Sequence, residues 1–332
     1  MMSTKDFAFK QIVFAFLLDG EKISFRNDNI VILDKDSKIK HQSTCYRLFA
    51  LFVCGNYFIT TGLMDRARKF GFSIVFMNSN MRVISILPAK AEGNILLRKK
   101  QYEYKSTEIA AHIIYNKIEN QKYLIKKKRN KNNDDLNTIS ILTEMQEFVK
   151  IPDTPLHKIM GIEGLSARYY FQNIFQKYSW TARRPRVKHD KINTLLDIGY
   201  TILFNLINAL LEMYGFDTYV GVLHTAFFHR KSLVCDIEEP FRPIIDEAIL
   251  KACNLGQIKE KDFTKEENQY ILSWKQSVPY IKIFVEALME YKQEIFLYVQ
   301  NYYRAFVREK DILMFPCFSL EKEEVYNAID QL

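Results

Sequence analysis

The chain has 332 residues and 48% of them are hydrophobic, which is enough apolar material to fill the cores of two domains. Its 11 glycines are few for this length and argue against a loop-rich all-β fold. Lysine and arginine number 47 against 39 acidic residues, so the net charge of +8 favours a polyanionic partner.

Residues 1–92 read as a small, mainly β domain, because short β-prone runs alternate with turn residues. One segment differs: Thr60 or Thr61 can cap a helix over residues 64–70 that ends at Gly71. The strand edges of such a domain need pairing, which suggests a homodimer formed here. The predicted strands cover residues 12–18, 22–25, 29–33, 46–53, 72–77 and 82–87.

Residues 93–332 show helical periodicity instead, and we predict a larger all-α catalytic domain there. The nearly uncharged interior of the helix at 191–214 predicts that it is the central core helix. The fold class is therefore α+β, with a β-rich domain followed by a helical one. The other predicted helices cover residues 94–125, 135–149, 159–178, one through 251, one or two over 271–307 broken near Pro279, and 319–330.

The cysteines indicate a reducing compartment. There are five of them and no CxxC pair, as expected for free thiols in a cytoplasmic protein. The apolar run 12–18 is too short to span a membrane, and we expect no other segment of that length.

Residues 221–243 contain three side chains that can bind a divalent metal: His224, Asp236 and Glu239. If the segment is helical from Asp236 onward, both carboxylates lie on one face, and Pro240 suits the first turn. Acids ringed by cations are typical of a site where a metal meets a phosphodiester, although such residues also occur together by chance. The surrounding cations are Arg230, Lys231 and Arg242.

Glu163 lies on an apolar helical stretch and needs a partner, either a metal or a cation such as Arg168. It stands between Gly161 and Gly164, each of which costs a helix about 1 kcal/mol. The two glycines indicate either that something approaches the backbone here or that two helices pack tightly.

Two basic segments are candidates for phosphate contacts. Residues 126–131 form either a solvated loop or a loop that contacts phosphates. The connector at 181–190 carries Arg183, Arg184 and Arg186 around Pro185.

Three motifs follow one another along the helical part. The first is MGIEG at 160–164, with Ala167 and the pair Tyr170-Phe171. The second comprises Arg186, Asn193, the pair Gly199-Tyr200 and Leu203. The third comprises GFD at 215–217, Gly221, Leu223-His224, Ser232-Leu233, Asp236 and EPFRP at 239–243. In this order they resemble the signatures of the CRISPR-associated integrase family that acquires new spacers, and residues 59–61 and 71–76 resemble its β domain.

The resemblance implies a site with one divalent ion, Mg²⁺ or Mn²⁺. By position, its metal ligands and catalytic residues are Glu163, His224 and Glu239, with Asp236 as an auxiliary acid. Some relatives have Asp where this chain has Glu239, which keeps a hard oxygen ligand. Many have proline where this chain has His189, which puts the geometry of the connector in doubt.

The same resemblance implies a metal-dependent DNA endonuclease and integrase. It joins the 3′-hydroxyl ends of short DNA fragments into the CRISPR repeat array by transesterification. The expected partners are double-stranded DNA, a second copy of the chain, and a smaller adaptation subunit that bridges two dimers, with no membrane. The cations expected to hold phosphates are Arg183, Arg184, Arg186, Arg230, Lys231 and Arg242.

Two alternatives remain open. The first is a repair nuclease for branched DNA that has the same site but does not integrate. The second is a non-catalytic DNA-binding scaffold, in which Glu163 pairs with Arg168 and His224 is structural.

Overall fold

The computed structural model describes residues 4–79, 83–89, 94–178, 180–225 and 227–321. A strand-rich region precedes a helical one, which confirms the predicted α+β class. The strands are β1 Gln11–Leu17, β2 Lys22–Arg26, β3 Asn29–Leu33, β4 Ile39–Thr44, β5 Leu48–Gly55, β6 Ser73–Met77, β7 Val83–Leu87, β8 Thr264–Glu266 and β9 Gln269–Ile271. The helices are α1 Thr4–Ala8, α2 Thr61–Phe70, α3 Ile95–Glu103, α4 Glu108–Lys126, α5 Asn133–Val149, α6 Leu156–Phe175, α7 Lys191–Tyr214, α8 Ser232–Glu238, α9 Arg242–Asn254, α10 Trp274–Met289 and α11 Lys292–Val307.

The N-terminal region contains two sheets. In the larger sheet the order is β1-β5-β6-β7; the first three strands are parallel and β7 is antiparallel. The smaller sheet, β2-β3-β4, is antiparallel throughout. All eight residues of β5 are buried, because helices cover one face of the larger sheet while α2 and β3 cover the other. A parallel strand buried on both faces reads as the continuous apolar run LFALFVCG.

The six strands predicted in this region are present, with bounds shifted by at most two residues. β4 was missed because its sequence, IKHQST, is polar and four of its six residues are exposed at the edge of the smaller sheet. Thr60 stands at the N-cap position of α2, but its side chain makes no capping hydrogen bond. Gly71 ends α2 with a φ of 67°, the left-handed conformation that favours glycine.

Helix α7 is the central core helix, as predicted, and Gly215 ends it with a φ of 83°. Gly199 lies where α7 crosses α9, and a Cβ at this position would overlap the side chain of Ile245. We expected no segment long enough to span a membrane, and this expectation was wrong. Helix α7 is long and apolar enough to do so. However, 78% of its most apolar window is buried inside the protein, as in the core helix of a globular domain.

Other boundaries in the helical region differ from the predictions. The segment 94–125 is two helices, α3 and α4, and two short strands that were not predicted, β8 and β9, pair between α9 and α10. Pro279 lies inside α10 and removes one backbone hydrogen bond, which the burial of Tyr280, Ile281, Phe284 and Leu288 outweighs. The chain breaks instead between α10 and α11. Residues 322–330 of the predicted C-terminal helix lie outside the described residues.

The two regions share one hydrophobic core. Phe49 and Phe52 of β5 belong to the same buried cluster as α4, α7 and α11. Phe7 stacks on Phe296 of α11 with ring centroids 3.9 Å apart. The indole N–H of Trp274 donates to the backbone oxygen of Leu17 at 3.1 Å. The division into units 1–92 and 93–332 stays a prediction.

Candidate active site

Two glutamates from distant parts of the chain converge on one lysine. Glu163 lies on α6, and Glu239 begins a 3₁₀ turn, Glu239–Phe241, between α8 and α9. The ammonium of Lys117 on α4 pairs with Oε1 of Glu163 and, at 2.7 Å, with Oε2 of Glu239. The side chains of Lys117 and Glu239 are 4% and 1% exposed, whereas that of Glu163 is 24% exposed. The cluster therefore opens to solvent on the side of Glu163.

The charges in this cluster keep one another ionised. Burial raises the pKa of Glu239, but the charges of Arg242 and Lys117 outweigh burial and hold it below its ordinary value of 4.5. Burial lowers the pKa of Lys117, but the charges of Glu163 and Glu239 raise it above 10.5. The Lys117–Glu239 pair is therefore ionic at neutral pH, in surroundings with little water.

Arg242 neutralises the opposite side of the acidic cluster. Its guanidinium pairs with Glu239 at 2.8 Å and with Glu238 at 2.7 Å, and it lies 5.0 Å from the centroid of the Tyr200 ring. Burial raises the pKa of Glu238 to about 7, although the charge of Arg242 opposes this. Arg242, predicted as a phosphate contact, is thus paired with two carboxylates of the protein, and its side chain is 25% exposed.

Asp236 ties down the backbone that leads to His224. Its Oδ2 accepts from the N–H groups of Val222 at 2.6 Å and Leu223 at 3.0 Å, and its Oδ1 accepts from the N–H of His224 at 2.9 Å. The loop lies so close that a Cβ at Gly221 would be 2.5 Å from Oδ2. Asp236 is fully buried, so its oxygens are occupied by this loop.

The imidazole of His224 is oriented by the same carboxylate. Its Nδ1 lies 2.7 Å from Oδ1 of Asp236, which favours the tautomer with hydrogen on Nδ1 and leaves the lone pair on Nε2. Burial lowers the pKa of His224, but the hydrogen bond and charge of Asp236, together with the charge of Glu239, raise it above 6.5. This carboxylate–histidine arrangement is the one that commonly supports a metal-ligating histidine.

The segment from Asp236 onward is helical but is not one helix that begins there. α8 ends at Glu238, and Pro240 lies in the 3₁₀ turn, not in the first turn of a helix that begins at Asp236. Pro240 lacks an N–H group and cannot donate the bond that would extend α8, and a 3₁₀ turn separates α8 from α9 here. As a result Asp236 bonds to the 222–224 backbone while Glu239 faces Lys117.

Gly161 and Gly164 face open space. A Cβ at either position would have no neighbour within 4 Å among the atoms that the structure describes, so tight helix packing does not explain them. The predicted cation was also wrong: Lys117 lies beside Glu163, whereas Arg168 is exposed. The surface next to Glu163 is therefore accessible to a ligand.

Most cations predicted to contact DNA are engaged within the protein. Arg183 binds Asn193 at 3.0 Å and Asp197 at 2.7 Å. Arg230 donates to the backbone oxygen of Thr225, and Lys231 donates to Asn208 and Glu212. In the 126–131 run, Lys127 pairs with Glu247 and Lys128 with Asp135. The side chains of Arg184 and Arg186 are exposed, in contrast.

The family follows from comparison with known proteins. The model of the family described as CRISPR associated protein Cas1 matches residues 16–286. The chain belongs to the Cas1 family. It is 29% identical over 255 residues to CRISPR-associated endonuclease Cas1 1 of Moorella thermoacetica, covering 71% of this chain and 74% of that protein. It is 25% identical over 277 residues to its counterpart in Thermodesulfovibrio yellowstonii, covering 79% and 86%.

Solved structures of the Cas1 family share the fold. A Cas1 protein from Thermotoga maritima superposes with a TM-score of 0.74 at 20% identity, covering 94% of this chain and 100% of that one. A Cas6-RT-Cas1–Cas2 complex gives 0.78 at 22% identity over 95% of this chain and 36% of that one. A casposase bound to integration product gives 0.71 at 20% identity over 96% of each chain.

Within this Cas1 fold, pattern reasoning missed two groups. The first is Lys117, whose signal was a set of polar residues on a buried helix face: Asn116, Lys117, Asn120 and Gln121. The second is Asp246, which accepts from the hydroxyls of Tyr170 at 2.9 Å and Tyr200 at 2.6 Å. Burial raises the pKa of Asp246 to about 6, despite these hydrogen bonds. Both tyrosines belong to the motifs noted above, but their shared partner lies outside them.

The donor types at this site, two carboxylates and an imidazole, are ones that Mg²⁺ and Mn²⁺ accept in proteins. Two carboxylates already share one cation, and the Nδ1 contact leaves Nε2 of His224 available as a ligand. Among the described residues, no three His, Cys, Asp or Glu side chains converge closely enough to hold an ion as they stand. The ligand set Glu163, His224 and Glu239 stays a prediction.

Proposed function

We propose that the chain is a metal-dependent DNA endonuclease and integrase of CRISPR adaptation. The carrying observation is the convergence of Glu163 and Glu239 on Lys117 in a member of the Cas1 family, together with a histidine that Asp236 orients and whose pKa the charge of Glu239 raises. In the proposed reaction, the 3′-hydroxyl of a short DNA fragment attacks a phosphodiester at the end of a CRISPR repeat. One P–O bond forms and one breaks, and the departing 3′-oxygen takes up a proton.

A bound Mg²⁺ or Mn²⁺ would neutralise a non-bridging phosphate oxygen and favour deprotonation of the attacking hydroxyl. Glu163, Glu239 and Nε2 of His224 would hold the ion. Asp236 fixes the ring of His224 and the backbone before it, so Nε2 of His224 is oriented before DNA arrives. Arg242 holds Glu239 in its ionised form, as the metal requires.

The proposed assembly is a homodimer joined through residues 1–92, which acts on double-stranded DNA in the cytoplasm. Two of the similar solved structures are Cas6-RT-Cas1–Cas2 complexes, which supports a small Cas2-type subunit as the partner that bridges two dimers. Two joining events at separated repeat ends require two active sites held apart, and a dimeric arrangement provides them.

Metal removal tests the proposal. The purified chain should join short duplexes with 3′-hydroxyl ends into a plasmid that carries a CRISPR repeat when Mn²⁺ is present, and should stop when EDTA is added. Duplexes with 3′-dideoxy ends are the control. Metal-dependent cutting of branched DNA without joining would support the repair nuclease, and DNA binding that is indifferent to EDTA and lacks cleavage would support the scaffold.

Replacing Gly161 or Gly164 by Ala should separate stability from activity. Each change is expected to stabilise the protein by about 0.5–1 kcal/mol, because a helical Cβ there meets nothing and the unfolded chain loses freedom. Strand joining should fall, because DNA approaches the backbone beside Glu163 in our proposal. Thermal melting and the joining assay measure the two effects, and unchanged joining would place the DNA elsewhere.

The exposed arginines should carry the salt dependence of DNA binding. The double change Arg184→Ala, Arg186→Ala is expected to flatten the plot of log K against log salt by about 0.9 for each phosphate that the variant no longer binds. Arg183→Ala is the matched control: it should lower the melting temperature, since Arg183 binds Asp197, but leave the slope unchanged. Fluorescence anisotropy over a salt series measures the slope. An unchanged slope in the double variant would remove the connector from the DNA path.

A further inference from the structure

Lys117 occupies the place that a divalent ion would take between Glu163 and Glu239. We propose that Lys117 is an internal counter-ion that the metal must displace, and that a DNA phosphate receives its ammonium, so that metal and DNA bind cooperatively. This inference rests on the proposed metal site. It assigns to Lys117 the task of coupling two binding events.

The buried carboxylate of Glu239 needs a counter-ion. Glu239 is 1% exposed, and a buried carboxylate without a partner strongly destabilises a protein. Lys117 and Arg242 supply two cations to this cluster without any metal. The site can therefore stay folded and assembled before an ion arrives.

A divalent ion at these carboxylates would have to displace the ammonium of Lys117. One ammonium contacts an oxygen of each carboxylate, and a divalent ion bound to the same oxygens would lie about 2.0–2.2 Å from them. The two cations would then be nearly in contact and would repel each other. Because the lysine side chain is a flexible four-carbon stem, its ammonium can move while α4 stays in place.

The displaced ammonium of Lys117 needs a new partner. The cluster is open to solvent on the side of Glu163, where Gly161 and Gly164 leave free space. A phosphate that arrives on this face gives the displaced ammonium a new partner. Metal binding without DNA would instead leave that ammonium unpaired in a confined site. By linkage, DNA must then raise metal affinity by the same factor as metal raises DNA affinity.

The test measures Mn²⁺ affinity with and without a short duplex for the wild type, Lys117→Met and Lys122→Met. Lys122 is the matched control, since it is a buried lysine on the same helix that pairs with Glu119 and Gln146 and touches neither carboxylate of the site. Mn²⁺ held by DNA alone is subtracted with the variant Glu163→Gln, Glu239→Gln. Melting in EDTA and in Mn²⁺ provides a second readout.

We expect DNA to tighten Mn²⁺ binding to the wild type and to Lys122→Met by about tenfold. Lys117→Met should bind Mn²⁺ about tenfold more tightly without DNA and gain nothing further from it. Lys117→Met should melt early in EDTA and recover in Mn²⁺, whereas Lys122→Met should melt early in both. If Lys117→Met does not fold, Lys117→Gln, which keeps hydrogen-bond donors, takes its place in the same measurements.

Two results would overturn the inference, and they are distinguishable. In the first, the wild type binds Mn²⁺ at the site and Lys117→Met binds it no more tightly. This result would refute Lys117 as the displaced ion and leave the proposed function standing. Wild-type protein that binds no more Mn²⁺ than the double glutamine variant would refute both.

Discussion

Replacing Glu163 or Glu239 by Gln, or His224 by Ala, is expected to lower the rate of strand joining by a factor on the order of 10³ or more. Each change removes one donor from the same proposed ion, so any two together should do little more damage than one. DNA binding should persist, because its charge comes from the exposed basic residues. Glu247→Gln is a suitable control, since this glutamate pairs with Lys127 outside the site.

The stability of these variants is a separate expectation. Acids clustered without counter-ions would repel, and deleting one would then stabilise the fold. Lys117 and Arg242 supply such counter-ions here, so we expect loss of an acid to destabilise the fold instead. Glu239→Gln removes the charged partner of both cations at a nearly fully buried position. We expect Glu239→Gln to melt earlier in EDTA than Glu163→Gln, since Glu163 is partly exposed. Equal melting temperatures, together with full joining activity, would contradict the assigned roles.

Replacing Gly221 by Ala should disable the site without changing the side chain of any proposed ligand. The new Cβ would lie 2.5 Å from Oδ2 of Asp236 and 2.9 Å from both the backbone oxygen of His224 and the backbone carbon of Ser232. Moving backbone atoms costs more free energy than moving the end of a flexible side chain. The loop must therefore shift, and Asp236 loses hydrogen bonds to it. We expect a loss of about 2–3 kcal/mol and a melting temperature lower by roughly 5 °C.

The same variant should also lose joining activity and Mn²⁺ affinity, because His224 depends on Asp236 for its orientation. For melting and Mn²⁺ affinity, Gly164→Ala is the natural comparison, since it adds the same methyl group where no described atom lies within 4 Å. Wild-type melting and activity in Gly221→Ala would show that the loop tolerates displacement and that the Asp236 contacts are dispensable.

Most helices and strands were predictable because their signals are local. Apolar periodicity, a capping Asp190 and a closing Gly215 defined α7 to the residue. Lys117 could not be predicted in this way. It is 46 residues from Glu163 and pairs with Glu239 only because α4, α6 and the 3₁₀ turn meet in space. Local spacing carries no information about such a crossing.

The basic residues show a second limit of sequence reasoning. A cation close in sequence to acids is as apt to neutralise them as to bind a phosphate, and Arg242 does so with Glu238 and Glu239. Lys231 similarly binds Glu212 on α7. Only the three-dimensional neighbours distinguish these structural cations from exposed ones such as Arg184.

The shared core has a consequence for how the chain is made on the ribosome. One face of the larger β-sheet, with Phe49 and Phe52, packs against helices that are translated much later. Phe7 likewise stacks on Phe296, which is synthesised near the end of the chain. At about 5–20 residues per second, roughly 10–40 s pass between the emergence of the sheet and that of α11. The nascent chain therefore carries an uncovered apolar surface for that time, and chaperones that bind such surfaces should affect its yield.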